Sequence, residues 1–311
     1  DVTYNDLAVA VIDEQHRFGV HQRLTLSAKG GGPVDVLVMT ATPIPRTLTL
    51  TTYGDMDVSR LAEKPPGRTP IDTRAIPATR LDEVVAGLHR AVERGAQAYW
   101  VCPLVEESEV LDVAAADQRF AALRRQFGDE VGLLHGRMKA SEKDAVMERF
   151  AAGALSILVA TTVIEVGVDV PNATVMVIEQ ADRFGLAQLH QLRGRIGRGS
   201  EDSICYMIAD PTTPEAVERL KVVEKTSDGF ELAEKDLEIR GPGQVFGMKQ
   251  SGLPPFKVAD LTKDRHLLAM ARRDAAAWIK RSPRLANVDE KLLLRRVMKT
   301  YGEHLGLADV G

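Results

Sequence analysis

Cysteine is scarce: Cys102 and Cys205 are the only two in 311 residues. Two thiols cannot build a disulfide framework, and their spacing fits no metal site. Both fall in apolar, strand-like runs, so they read as packed core thiols, a usage suited to a reducing cytoplasm. No apolar run approaches the roughly 20 residues that a membrane helix requires. The first residues, Asp1-Val2-Thr3-Tyr4, carry no Met, no basic segment and no apolar segment. They read as the cut edge of a longer polypeptide and not as a targeting signal. Excess positive charge is also missing. The formal net charge of −4 argues against a small basic domain that holds nucleic acid by bulk charge, while leaving room for a locally positive groove. Repeats and low-complexity segments are absent, and no stretch has the form GxxxxGK[ST], so no phosphate-cradling loop of that type is present.

What is present is ordinary soluble-protein composition, 44% apolar and 27% charged, arranged in alternating strand and helix patterns. Leu7–Asp13, Val34–Thr40, Gln97–Leu104, Val131–His135, Ile157–Thr161, Thr174–Glu179 and Ile204–Ala209 are short apolar runs rich in Val, Ile and Leu. Such runs suit parallel strands covered on both faces. Between them, Leu81–Glu93 repeats Leu81, Val84, Val85, Leu88 and Val92 at helical spacing, and Ser141–Phe150 opens with a Ser141/Asp144 pair that resembles an N-cap. The alternation predicts a doubly wound α/β sheet. Lys64-Pro65-Pro66-Gly67-Arg68-Thr69-Pro70 can continue neither a helix nor a central strand and reads as a linker. Two strands precede it, too few for an independent sheet, and five follow it up to residue 211. Beyond Pro211, Glu215–Lys225 and Glu231–Leu237 form a predicted helical hairpin about Ser227-Asp228-Gly229. A Gly- and Pro-containing loop runs from Arg240 to Gly252, and a helical tail of mixed charge begins near Asp260. Glu106, Glu107 and Glu109 read as a solvated acidic loop.

Four clusters carry chemistry. Asp13-Glu14-Gln15-His16 follows a buried strand. Adjacent carboxylates there suit Mg²⁺, held by Asp13 through its water shell. Glu14 would orient or deprotonate the water that attacks a γ-phosphate, and His16 would sense the nucleotide and relay its state. A solvated strand end is the plainer alternative, and the flanking Val-Ile and Gln-His-Arg-Phe-Gly decide against it. Thr40-Ala41-Thr42-Pro43 follows the next strand, where Thr40 and Thr42 can bridge to the acidic site; alone they would read as a capped turn. In the run from Ala160 to Pro171, Thr161 and Thr162 are candidates for a phosphate backbone. Gly167 permits close approach, and Asp169 can bond a ribose or an arginine. Gln191 to Arg198 holds Arg193, Arg195 and Arg198 between Gly194 and Gly197. Arginine presents a planar, permanently charged fork to phosphate. Arg198 is the expected arginine finger, and Arg195 its phosphate or carboxylate partner. Together the clusters read as part of an ATP-driven nucleic-acid motor.

On these residues the chain resembles superfamily 2 DNA helicases, and within them the RecG family. The resemblance rests on DEQHRFGV at 13–20, TATPIPRTL at 40–48, PPGRTPI at 65–71, the run 157–169, QLRGRIGRG at 191–199 and DLEIRGPGQVFGMKQSG at 236–252. It implies RecA-like lobes closing on ATP and Mg²⁺: the C-terminal part of a first lobe over 1–62, a linker at 63–70, a second lobe over 71–211, a translocation hairpin and loop over 212–255 and a helical tail over 256–311. It implies nucleotide contacts from Asp13, Glu14, Gly167, Asp169, Gln191, Arg195 and Arg198. Arg219, Arg240 and Gln250 would couple closure to movement on double-stranded DNA, with His135 and Arg137 facing the nucleic-acid path. The implied partner is branched DNA, with single-strand binding protein reached through an N-terminal part; no membrane is implied, and the location is the bacterial cytoplasm, at the nucleoid. The chain departs from the family in having no phosphate-cradling loop and nothing that matches the family's junction-splitting wedge. By itself it is expected to bind nucleotide weakly and to hydrolyse ATP negligibly. Rival readings are a transcription-repair coupling factor, which shares the translocation motif, and an ATPase-inactive module that docks DNA or a partner.

Overall fold

The computed structural model describes residues 7–13, 34–40, 58–61, 63, 68–103, 109–161, 170–240 and 264–308. The chain divides into two compact units, one spanning Leu61–Ile239 and one formed by Asp1–Arg60 with Arg240–Gly311.

In the second of these units, β1 (Val9–Ile12) and β2 (Asp35–Val38) pair in parallel, with Val9 opposite Asp35 and Ile12 opposite Val38. The unit also holds two long helices near the C-terminus, described below.

The Leu61–Ile239 unit is built on six parallel strands. In chain order its elements are β3 (Ile71–Ile76), α1 (Leu81–Val92), β4 (Gln97–Cys102), α2 (Glu109–Phe127), β5 (Val131–Leu134), α3 (Ala140–Ala151), β6 (Ile157–Thr161), β7 (Ala173–Glu179), α4 (Leu186–Arg193) and β8 (Ser203–Ile208). A hairpin of α5 (Pro214–Lys225) and α6 (Gly229–Arg240) follows. The sheet order is β3-β8-β7-β4-β6-β5. The expected RecA-like doubly wound sheet is therefore present, with six strands after the linker and not five. The additional strand is β3, whose half-buried, alternating sequence IDTRAI marks an edge position.

Strand alternation sorts the core into two layers. Ala98, Trp100 and Cys102 of β4 face α1 and α2, in a cluster with Val84, Leu88, Ala116 and Leu123. Tyr99 and Val101 face the other way, in a cluster with Met147 and Phe150 of α3, Leu186, Leu189 and Leu192 of α4, Leu220 and Val223 of α5, and Leu232 of α6. Covering on both faces leaves every residue of β4 and β6 buried, which is why those strands are continuous apolar runs.

Two local expectations are corrected. Glu109 opens helix α2 and does not belong to a solvated loop; Glu106 and Glu107 lie outside the described residues. Ser141 lies inside α3 and does not cap it: the cap residue is Lys139, whose backbone N–H donates to Glu142 Oε2 at 3.0 Å. Thr69, at the end of the expected linker, donates through Oγ1 to the Glu201 carbonyl at 3.1 Å. The hairpin forms where the sequence places it. Thr213 Oγ1 accepts from Ala216 N at 3.2 Å with Pro214 at the first helical position, and Asp228 Oδ1 accepts from Phe230 N at 2.8 Å. Both cysteines are free and buried, and burial raises each thiol pKa to about 12.

Helices α7 (Arg265–Arg281) and α8 (Val288–Ala308) make up the described part of the tail. No helix among the described residues is long and apolar enough to cross a membrane.

Candidate functional site

The candidate residues fall into groups, each placed by the end of a strand or helix. Asp13 stands exposed one position past β1. Met39 N donates to the Ile12 carbonyl at 2.8 Å, so the parallel ladder runs on past β2 and Thr40 stands beside the end of β1. Asp13 and Thr40 are thus together at the carboxyl ends of parallel strands, where α/β sheets bind ligands. Glu14, His16 and Thr42 lie outside the described residues. No cluster of three or more His, Cys, Asp or Glu occurs among the described residues. An exposed carboxylate at a strand end is compatible with Mg²⁺ that keeps most of its water.

A second group lies at the carboxyl ends of β5 and β6. These strands pair with Leu134 opposite Ala160, which brings His135 and Thr161 level in the next position. Thr161 is 1% exposed. His135 Nδ1 and Thr161 Oγ1 are buried with no hydrogen-bond partner among the described residues. Two orphaned polar atoms at one strand end are costly unless a ligand or water satisfies them. Arg137 is exposed in the turn that follows, closed by Met138 N donating to the His135 carbonyl at 3.2 Å. Thr162, Gly167 and Asp169 lie outside the described residues.

The third group is α4 and the turn after it. Gln188 Oε1 accepts from Gly185 N at 3.0 Å and starts the helix, while Leu186, Leu189 and Leu192 bury one side of it. The helix closes with Gly194 N donating to the His190 carbonyl at 3.0 Å. Gly197 then adopts φ of +71°, and a Cβ there would come within 2.9 Å of Ile71 Cγ1. Only glycine satisfies both conditions. The turn leaves Gln191, Arg195 and Arg198 half-buried.

Arg193 behaves differently from its neighbours. It is 4% exposed, and its Nη1 donates to the Val223 carbonyl at 2.6 Å and the Thr226 carbonyl at 3.0 Å, at the end of α5. Burial lowers the pKa of this guanidinium, which nonetheless stays charged. Sequence reading grouped Arg193 with the other arginines and assigned it no role. The signal was available: Arg193 lies seven residues after Leu186 and four after Leu189, on the buried stripe of α4.

The hairpin supplies the fourth group. Arg219 is half-buried and donates through Nη2 to the Asp182 carbonyl at 2.8 Å, while its Nε has no partner among the described residues. That carbonyl is presented by a short turn, Ala181–Arg183, entered through Gln180 at a left-handed φ of 46°. Arg240 is exposed at the last position of α6, and Gln250 lies outside the described residues.

A parallel sheet wrapped on both faces, with a glycine-bracketed arginine turn beside it, defines the class of RecA-like helicase C-terminal domains. Residues 79–200 match the family model of the helicase conserved C-terminal domain. The chain belongs to the RecG family: residues 226–305 match the model of ATP-dependent DNA helicase RecG, domain 3, C-terminal, and close relatives align along almost all of its length. ATP-dependent DNA helicase RecG of Bacillus subtilis is 50% identical over 305 residues, covering 96% of this chain and 45% of the relative. The protein of the same name from Escherichia coli K12 is 52% identical over 303 residues, covering 96% and 43%. A solved structure of RecG bound to a three-way DNA junction superposes with a TM-score of 0.65 at 47% identity, covering 86% of this chain and 34% of that one. The chain spans less than half the length of these curated relatives.

Proposed function

We propose that the chain is part of the motor of an ATP-dependent double-stranded DNA translocase, a helicase that remodels branched DNA such as stalled forks and Holliday junctions in replication restart, recombination and repair. The observation that carries this reading is the half-identity to RecG proteins along 96% of the chain, together with the likeness to a RecG structure holding a three-way junction. Residues 1–62 belong to a first RecA-like lobe and 71–211 to a second, joined by 63–70. The hairpin and loop of 212–255 convert lobe movement into translocation, and 256–311 form a helical tail. The location is the bacterial cytoplasm, at the nucleoid, with branched DNA as the partner; contacts to single-strand binding protein belong to other parts of the protein.

In this reading Asp13 would hold Mg²⁺ through its water shell and Glu14 would orient or deprotonate the attacking water, with His16 reporting nucleotide state. Bound with ATP, the metal would neutralise charge at the transferred phosphate. Arg198 would supply the finger charge to the γ-phosphate with Arg195 as its partner, while Gln191, Gly167 and Asp169 would contact the nucleotide. Thr40 and Thr42 pass the state of the acidic site along the first lobe. His135, Arg137, Thr161 and Thr162 grip the DNA backbone, a sequence-independent hold suited to recognition by shape. The unsatisfied His135 Nδ1 and Thr161 Oγ1 support that placement. Arg219 latches the hairpin, and Arg240 and Gln250 set the loop that follows it.

The test is ATP-driven opening of a three-way junction against a linear duplex by the full-length protein. Junction-selective opening is expected, with R198A lowering turnover by about a thousandfold. Absence of ATP-dependent junction opening would refute the proposal.

A further inference from the structure

We infer that Arg193 is a positioning residue that ties the arginine turn to the helical hairpin, so that displacement of Arg195 and Arg198 moves α5. The inference rests on the motor reading above and adds the physical link within the second lobe. Arg193 closes α4, two residues before Arg195. It is buried and donates to the carbonyls of Val223 and Thr226, acceptors that the end of a helix leaves without internal partners. A cation there also meets the negative end of the helix dipole.

The bond network runs onward from this point. Thr226 Oγ1 accepts from Asp228 N at 3.1 Å and donates to Glu231 Oε2 at 2.6 Å. The first turn of α6 is thereby wired to the residue whose carbonyl Arg193 holds. Two other side-chain bonds fix α5: Arg219 to the Asp182 carbonyl at 2.8 Å, and Glu224 Oε1 accepting from Ala75 N of edge strand β3 at 2.5 Å. Both of those lead to the sheet or to the turn after β7. Arg193 alone of the three comes from the segment that carries Arg195 and Arg198.

Energetics favour a role beyond holding the fold. Among the described residues no carboxylate pairs with Arg193, so its buried charge is solvated by carbonyls and by His190 Nδ1 at 3.3 Å. An apolar side chain of similar size would fill the same space without the desolvation cost of a guanidinium. What an apolar residue could not do is grip two carbonyls of the neighbouring element and transmit a pull.

The experiment measures two rates in the full-length protein on a three-way junction: ATP hydrolysed and base pairs opened. Their ratio is compared among wild type, R193Q and R193K. R193Q is expected to keep DNA-stimulated ATP hydrolysis within about threefold and to lower base pairs opened per ATP by about tenfold or more, the loss of a charge-assisted bond. R193K keeps the charge but not the planar fork, and an intermediate fall of about threefold is expected in protein that thermal unfolding shows to be folded. The lysine variant decides the matter if R193Q fails to fold. Unchanged ratios in the folded variants overturn the inference, and so does a parallel fall of hydrolysis and opening. Wild-type protein that opens no junction sinks the motor reading itself; active wild type with unchanged ratios in the variants sinks only the role of Arg193.

Discussion

Glu179 and Arg119 form a two-point ion pair between the end of β7 and the middle of α2. The guanidinium reaches Oε1 through Nε and Oε2 through Nη2, the latter at 3.2 Å, and Trp100 Nε1 donates to the same Oε1. The guanidinium also lies 5.2 Å from the centroid of the Trp100 ring. This cluster pins α2, a helix with little apolar periodicity of its own, to the centre of the sheet.

E179Q is therefore expected to destabilise the domain by about 2 kcal/mol, below the value for a fully buried pair because about a fifth of each side chain remains exposed. The urea midpoint measures it, and a double-mutant cycle with R119M should return a coupling of about 1 kcal/mol. Additive effects would show that the pair contributes nothing.

Gly197 is held between a positive φ and the side chain of Ile71. G197A should cost about 1–3 kcal/mol through strain and overpacking. Thermal unfolding tests this. I71A in the same chain should recover part of the loss, since it removes the atoms that a Cβ would strike.

Neither cysteine should react in the native state. With both thiols raised to about 12, the thiolate fraction near pH 8 is minute, and burial blocks access. Titration with a thiol reagent should register none in the folded protein and two in denaturant, matching the count in the sequence.

The junction of α7 and α8 should loosen in acid. Glu290 accepts from Trp278 Nε1 at 2.8 Å, from Asn287 N at 3.1 Å and from Ser282 Oγ at 2.8 Å. These bonds, Trp278 first, hold its pKa below the ordinary carboxylate value. A depressed folded pKa gives stability that is complete above the unfolded value of about 4.3 and is lost as pH falls through the folded one. Trp278 fluorescence should change across that window in wild type and stay flat in E290Q.

Some of this was legible in the residues alone. Strands β4, β6 and β7 are continuous apolar runs because both sheet faces are covered, so their existence could be read without the fold. The hairpin was readable as well, since Thr213, Pro214 and Asp228 act on backbone groups two or three residues away. Strand β3 was not, because an edge strand keeps polar residues and owes its place to β8 and to Glu224, distant in sequence. Helix α2 was missed for a related reason. Its buried stripe of Ala116, Phe120, Leu123 and Phe127 is sparse and lies among exposed alanines and charges.

The chemistry divides in the same way. Residue type and spacing along the chain determined that Asp13 ends a strand, that three arginines share one short segment, and that the whole resembles one helicase family, since these features depend on neighbours within a few positions. Which arginine turns inward was decided only in three dimensions. Arg193 meets Val223 and Thr226 because α4 and α5 lie together over the sheet, and a guanidinium's choice of partner some thirty residues away follows from packing, which no local pattern records.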